Sequence, residues 1–314
     1  MSLIVVAIGG NALRTEDGVG APSEWFDALT QSLPPLVDLV VEGHRLVLTH
    51  GNGPQVGEEL LRMEIAKPVM PALTLDLCVA ETEGSIGYAI QQVMDNLLGQ
   101  RGLAARVASV VTQVVVDRSD PAFASPTKPI GAFYRKAEAL RQAREHGWSV
   151  VEDSGRGWRR VVPSPRPVRV VETPLIRTLV EARMIPIAVG GGGIPVFETP
   201  TGLHGAEAVI EKDLATAVLA GELDADRVFF LTGVDRVAVG YGTPAQRFLD
   251  RLTVAEARRL LAAGEFPPGS MGPKVEAAVQ FVEAGGRAAI ITSLGRIGEA
   301  TRGTGGTIIQ REAA

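Results

Sequence analysis

The chain opens with Leu3-Ile4-Val5-Val6-Ala7-Ile8-Gly9-Gly10-Asn11, six apolar residues running straight into a glycine turn. An uninterrupted apolar run of this length reads as a strand buried on both faces, the habit of a parallel sheet covered by helices. Similar β-branched runs return at residues 46–49, 106–111, 185–189, 228–231 and 288–292. Longer helical stretches separate them, including 75 to about 98, 253–263 and about 272–283. Strand then helix, repeated, predicts an α/β fold with a mainly parallel sheet and helices on both sides.

Three of these strands end in glycine turns. Besides Ile8-Gly9-Gly10-Asn11 there are Thr49-His50-Gly51-Asn52-Gly53-Pro54 and Val189-Gly190-Gly191-Gly192-Gly193-Ile194-Pro195. Ligands of open parallel sheets bind at the carboxyl ends of strands. Glycine lets backbone N–H groups close around an anion, and a helix starting just beyond adds its positive end. A single such turn is usually only a tight turn, whereas three on neighbouring strands predict an anion or phosphate site. None matches G-x-G-x-x-G or G-x-x-x-x-G-K-[ST], which disfavours a standard dinucleotide fold and a P-loop enzyme.

From about residue 118 to 171 the rhythm breaks. This stretch is rich in proline and arginine, and two β runs, 148–151 and 158–162, flank a glycine-containing turn. We read it as a small subdomain with a β-hairpin, inserted into a single domain spanning 1–314 and protruding from the main sheet.

Only five of the 31 basic residues are lysines: Lys67, Lys128, Lys136, Lys212 and Lys274. Where arginine is so favoured, a retained lysine can mark a site that needs a compact ammonium rather than a planar fork. On composition alone, chance survival explains them equally well, and Lys67 and Lys136 have ordinary helical surroundings. Lys128 lies in Pro126-Thr127-Lys128-Pro129, Lys212 in Glu211-Lys212-Asp213, and Lys274 in Gly269-Ser270-Met271-Gly272-Pro273-Lys274. Asp213 suits the N-cap of a helix over 214–220, with Lys212 facing the strand-end cleft. After the strand 228–231 comes Thr232-Gly233-Val234-Asp235, and then Tyr241, which either meets a purine or is simply an exposed loop residue.

The bulk numbers bound the rest. At 314 residues, 46% of them apolar, the chain has enough material for a large core in one or two domains. Acidic residues outnumber basic ones 36 to 31 and no basic run occurs, so nucleic acid is not an expected partner. Cys78 is the only cysteine, which excludes an intramolecular disulfide and points to a reducing cytoplasm. The N-terminus lacks the pattern of a signal peptide, and no apolar stretch approaches a membrane span. His44, His50, His146 and His204 show no metal-ligand spacing, so no protein metal site is expected. Lysines on separate loops, glycine turns and an orienting aspartate are the parts that phosphoryl transfer needs.

These residues resemble the amino-acid-kinase superfamily and, within it, the carbamate kinase family. The resemblance spans nearly the whole chain. It rests on residues 7–13, 50–57, 80–88 and 126–131, then 152–165, 190–195, 207–213 and 269–274, in that order. It implies a three-layer αβα sandwich with an open, mainly parallel eight-stranded sheet and a small protruding subdomain. It also implies a homodimer using Mg²⁺ with ATP or ADP, and the reversible reaction of ATP with carbamate to give ADP and carbamoyl phosphate. In arginine-fermenting organisms that reaction usually runs toward ATP.

By motif match, Lys128, Lys212 and Asp213 would be catalytic, with Lys128 reaching over the transferring group from the lobe. Gly9, Gly10, Asn11, Gly51, Asn52, Gly53, Gly191 and Gly192 would bind the substrate. Lys212, Thr232, Gly233, Val234, Asp235, Tyr241, Met271, Gly272 and Lys274 would bind the nucleotide. Relatives acting on acetylglutamate or aspartate resemble one another in a lysine beside the first glycine turn. Here Ile8 stands there, so Lys128 is the candidate replacement. The family's usual Asp-Lys-Asp is Glu211-Lys212-Asp213, which keeps the charge, and its usual tyrosine is absent around Val237-Ala238. The competing readings are a relative phosphorylating another small carboxylate, and a nucleotide sensor without catalysis.

Overall fold

The computed structural model describes residues 1–9, 13, 22–104, 106–153, 155, 157–267 and 269–311. Gly10 and Asn11 lie outside the described residues. Eight strands form the central sheet, in the order Arg251–Thr253, Thr307–Gln310, Ala288–Thr292, Arg227–Leu231, Leu3–Ile8, Arg45–His50, Ile185–Ile187 and Val107–Ser109. All its pairings are parallel except Ala288–Thr292 with Thr307–Gln310.

Alternation within each strand builds two cores. Val5 and Ala7, with Val47, Val228 and Phe230, face the helices Thr173–Glu181, Lys212–Glu222, Val254–Ala262 and Met271–Glu283. Ile4, Val6 and Ile8, with Leu46, Leu48 and Phe229, face Pro22–Ser32, Pro34–Val41, Leu75–Gln100 and Ile297–Thr301. Successive side chains of a strand point to opposite faces, so a sheet covered on both sides needs apolar residues at every position. The three-layer sandwich follows directly. Among the described residues no helix is long and apolar enough to cross a membrane.

Register aligns the strand ends that matter. Ile8 pairs with His50 and Leu48 with Ile187, so the turns at Gly9, Gly51 and Gly190 emerge along one edge. Two strands are shorter than the sequence predicts. The run over 106–111 pairs only as Val107–Ser109: Val110 N–H still donates to the Ile187 carbonyl, whereas Thr112 N–H turns to Glu83 of the long helix. The strand over 185–189 stops at Ile187 because Val189 enters the left-handed region, with φ 53°.

Residues Lys128–Tyr134, Ser149–Glu152 and Trp158–Val162 form a separate antiparallel sheet, followed in the chain order by no strand of the main sheet until Ile185–Ile187. Its arginines lie on aromatic rings, Arg160 on Trp148 at 5.0 Å and Arg159 on Phe133 at 5.0 Å. The lobe seats on the helix Gly53–Ala66 where two glycines meet. A methyl group on Gly57 would lie 3.0 Å from the Gly131 Cα, so a side chain there would push the two backbones apart. Pro167–Val170 pairs instead with Gln113–Val116 in a four-stranded sheet beneath.

Candidate active site

The helix Lys212–Glu222 begins two residues earlier than expected, and this sets the chemistry. Glu211 takes the N-cap position, without a side-chain cap bond, and Asp213 lies inside the first turn rather than capping it. Lys212 and Asp213 are thereby both turned inward, at 9% and 2% exposure, where a cap would have stayed at the surface. Lys212 Nζ is 3.2 Å from Asp213 Oδ1 and donates to the Ile8 carbonyl at 3.3 Å. Lys274, in the first turn of Met271–Glu283, donates to Asp213 Oδ2 at 2.8 Å. One carboxylate thus bridges two ammonium groups.

Burial pushes the Lys212 ammonium below its usual range, Asp213 pulls it back, and Lys274 adds to the push. Burial alone would raise the Asp213 carboxyl. The two lysines together outweigh it and hold Asp213 below the ordinary carboxylate range. Removing either lysine leaves the buried carboxylate half-paired, which is strongly destabilising.

Above this bridge opens a cavity of about 570 Å³, a size suited to a small cofactor. Ile8, Gly9, Lys212, Asp213, Thr232, Gly233, Val234, Tyr241, Met271 and Lys274 line it. Asp235 and Gly272, expected on the nucleotide, do not line it. Asp235 turns outward, accepting from Ser293 Oγ at 2.6 Å and pairing with Arg296 at 3.4 Å. Gly272 is buried against the Pro267 carbonyl. Sequence reasoning missed Phe266 and Pro267, which close the apolar wall, and Arg236 and Leu294. Ala238 also lines the cavity, at the point where the expected tyrosine is absent.

Lys128, the first residue of its lobe strand, pairs with Glu211 at the cavity margin. The two carboxylates among the described lining residues, Glu211 and Asp213, are therefore both engaged by lysines.

The other glycine turns meet to one side. Asn52 is buried and donates from Nδ2 to Thr82 Oγ1 at 2.8 Å. A methyl group on Gly191 would fall 2.1 Å from that Nδ2, and one on Gly190 would fall 2.6 Å from His50 Nε2. Gly192 packs its Cα side on the Ile210 carbonyl. Gly51, Asn52, Gly191 and Gly192 thus come together, while Gly53 starts its helix at the surface. His50 is fully enclosed. Burial lowers its pKa to about 4, against the Gly51 carbonyl and helped by Lys212, so the ring is neutral near pH 7.

A sequence model described as the amino acid kinase family matches residues 2–293. The chain belongs to the amino acid kinase family, on its carbamate kinase branch. It is 47% identical to the carbamate kinase of Thermococcus kodakarensis, over 99% of this chain and 100% of that one. The solved structure of Giardia lamblia carbamate kinase bound to AMP-PNP is 40% identical, covers 99% of both chains and superposes with a TM-score of 0.93. A second Giardia lamblia structure, thiocarbamoylated by disulfiram on a cysteine, is 39% identical over 99% of both chains, with a TM-score of 0.91. On this branch the chain is a kinase.

Proposed function

We propose that the chain catalyses the reversible transfer of a phosphoryl group between carbamoyl phosphate and ADP, giving carbamate and ATP. The Lys212–Asp213–Lys274 bridge at the floor of a nucleotide-sized cavity carries this reading. Phosphoryl transfer passes through a loose transition state whose charge spreads over the moving oxygens, and fixed cations stabilise it. Lys212 supplies that charge. Asp213 keeps the buried ammonium oriented and charged, and Lys274 holds the nucleotide phosphates with the backbone of Thr232, Gly233 and Val234. Tyr241 and Met271 border the rest of the nucleotide. Lys128 leaves Glu211 and closes over the transferring group.

Gly9, Gly51, Asn52, Gly191 and Gly192 form the carbamoyl side, to which the motif match adds Gly10, Asn11 and Gly53. Mg²⁺ enters with the nucleotide as part of the substrate. We further propose that residues 118–171 move as the inserted subdomain of a single domain spanning 1–314. The working form is a cytoplasmic homodimer that makes ATP from carbamoyl phosphate in arginine breakdown.

The test is ATP formation from carbamoyl phosphate and MgADP, with Lys212→Ala as the blank. Turnover in the unmodified protein alone supports the reading. A folded protein that binds ADP and makes no ATP would end it.

A further inference from the structure

We propose that Glu83 is a positioning residue for the carbamoyl side of the cleft, fixing the glycine turn at 189–193 from behind. The proposal rests on the phosphoryl-transfer reading above. Glu83 lies in the helix Leu75–Gln100, 2% exposed, and does not line the cavity. Its Oε2 accepts the Thr112 N–H at 2.8 Å. Thr112 Oγ1 donates to the Val110 carbonyl at 2.7 Å and accepts the Val189 N–H at 3.0 Å.

Val189 is the residue that needs holding. It is β-branched and has φ 53°, a conformation such residues rarely adopt and that costs on the order of 1–3 kcal/mol. Gly190 follows at once, and a methyl group there would lie 2.9 Å from Glu83 Cγ. The neighbouring Thr82 serves the other turn, accepting from Asn52 Nδ2 and donating to the Val79 carbonyl, both at 2.8 Å. One turn of one helix therefore sets both glycine loops.

The carboxyl does this work protonated. Among the described residues no cation pairs with it, and the titratable groups facing it are His50, neutral at the end of Arg45–His50, and Glu172, ahead of Thr173–Glu181. Oε1 meets no donor in hydrogen-bond geometry, although the Gly190 N–H is near enough to favour the charged form slightly. An ionised oxygen in that setting is expensive, whereas a neutral carboxyl is tolerated much as an amide is. Burial raises Glu83 well above the usual carboxylate range, Thr112 N–H opposes, and Glu172 adds to the rise.

Three proteins separate this from a purely structural role: unmodified, Glu83→Gln and Glu83→Ala, assayed for ATP formation across pH, with ADP affinity measured by calorimetry. Glu83→Gln should keep KM for carbamoyl phosphate within about two-fold at pH 7 and abolish the Glu83-dependent rise of KM at alkaline pH. Glu83→Ala should raise that KM at least ten-fold with ADP affinity unchanged. Damage by Gln equal to that by Ala, or equal loss of ADP affinity in Ala, overturns the proposal. The unfolding midpoint against pH needs no substrate. It should fall more steeply above the usual carboxylate range in the unmodified protein than in Glu83→Gln, and identical curves overturn the proposal even if the reaction reading has failed. Absent turnover with distinct curves sinks the reaction reading and leaves the proton on Glu83 supported.

Discussion

Lys128 and Glu211 form an ion pair across the margin of the cavity, joining the first strand of the lobe to the N-cap of the helix that carries Lys212. Glu211 thus occupies the cation that the transferring group is proposed to need. Binding an anion there must displace Glu211. The pair is partly exposed, at 32% and 23%, so its worth is that of a screened pair, roughly 0.2–1 kcal/mol. Glu211→Gln should lower KM for carbamoyl phosphate by up to about five-fold. A rise in KM would mean that Glu211 presents Lys128 rather than competing for it. Lys128→Ala should cut turnover and leave ADP affinity largely intact, since the lysine comes from the lobe. A large loss of ADP affinity would assign Lys128 to the nucleotide.

The two lysines on Asp213 are not interchangeable with arginine. Lys212 is buried at 9% exposure between the Ile8 carbonyl and Asp213, a space for one compact ammonium. A planar guanidinium cannot meet both partners from the same backbone position. Lys212→Arg should lower kcat by about 100-fold or more, in line with the loss of a fixed charge at a transition state. Steady-state kinetics in the ATP-forming direction decide it, and near-normal kcat would remove Lys212 from the mechanism.

Much of this was readable in the sequence, for identifiable reasons. Unbroken apolar runs gave the main strands because a sheet covered on both faces leaves no polar position to interrupt them. The glycine turns were readable because close backbone approach admits no other residue: Gly191 has no room for a methyl group beside Asn52. Asp213 was misassigned as a cap because local rules favour aspartate before a helix, whereas two lysines from distant segments draw it into the interior. Phe266 and Pro267 were missed because cavity walls depend on tertiary placement, which no period records. Glu83 falls within the 80–88 motif, but nothing local shows that its neighbours would bury it.

Acid should attack the fold through His50. Its folded-state pKa is about 4, below the unfolded 6.5, because burial opposes the charge. A base with a depressed folded pKa takes up its proton first in the unfolded chain. Stability from His50 is thus fully present above pH 6.5 and is lost as pH falls toward 4, by at most about 3 kcal/mol. Unfolding midpoints measured from pH 7.5 to 4.5 should fall less steeply in His50→Gln than in the unmodified protein. Parallel curves would show that other groups govern the acid limb.

Gly191→Ala tests the nest directly. The position has φ 66°, and the added methyl would lie 2.1 Å from Asn52 Nδ2, so both backbone and neighbour must give way. Left-handed backbone alone costs roughly 1–2 kcal/mol for a residue with a Cβ. The variant should melt several degrees lower and show KM for carbamoyl phosphate raised at least ten-fold, with ADP affinity changed much less. An unchanged KM would detach the 189–193 turn from the carbamoyl side.

Disulfiram, which modifies a cysteine of the Giardia lamblia protein, should leave this protein unmodified and active. Cys78 is the only cysteine. It is 0% exposed and packs with Val56, Leu75, Val79 and Val209, and with Ile130 and Val162 from the lobe. Burial raises its thiol to about 11, and Glu81, Glu59, Glu207 and Asp76 reinforce the shift. Thiolate is the reactive species, and at pH 7.5 it is on the order of one molecule in a few thousand, behind a closed core. Incubation with excess disulfiram, read by intact mass and residual ATP formation, should show no adduct until denaturant is added and one adduct afterwards. Rapid native labelling would mean that the lobe strands carrying Ile130 and Val162 lift readily from the helix Leu75–Gln100, exposing Cys78 as the cleft opens.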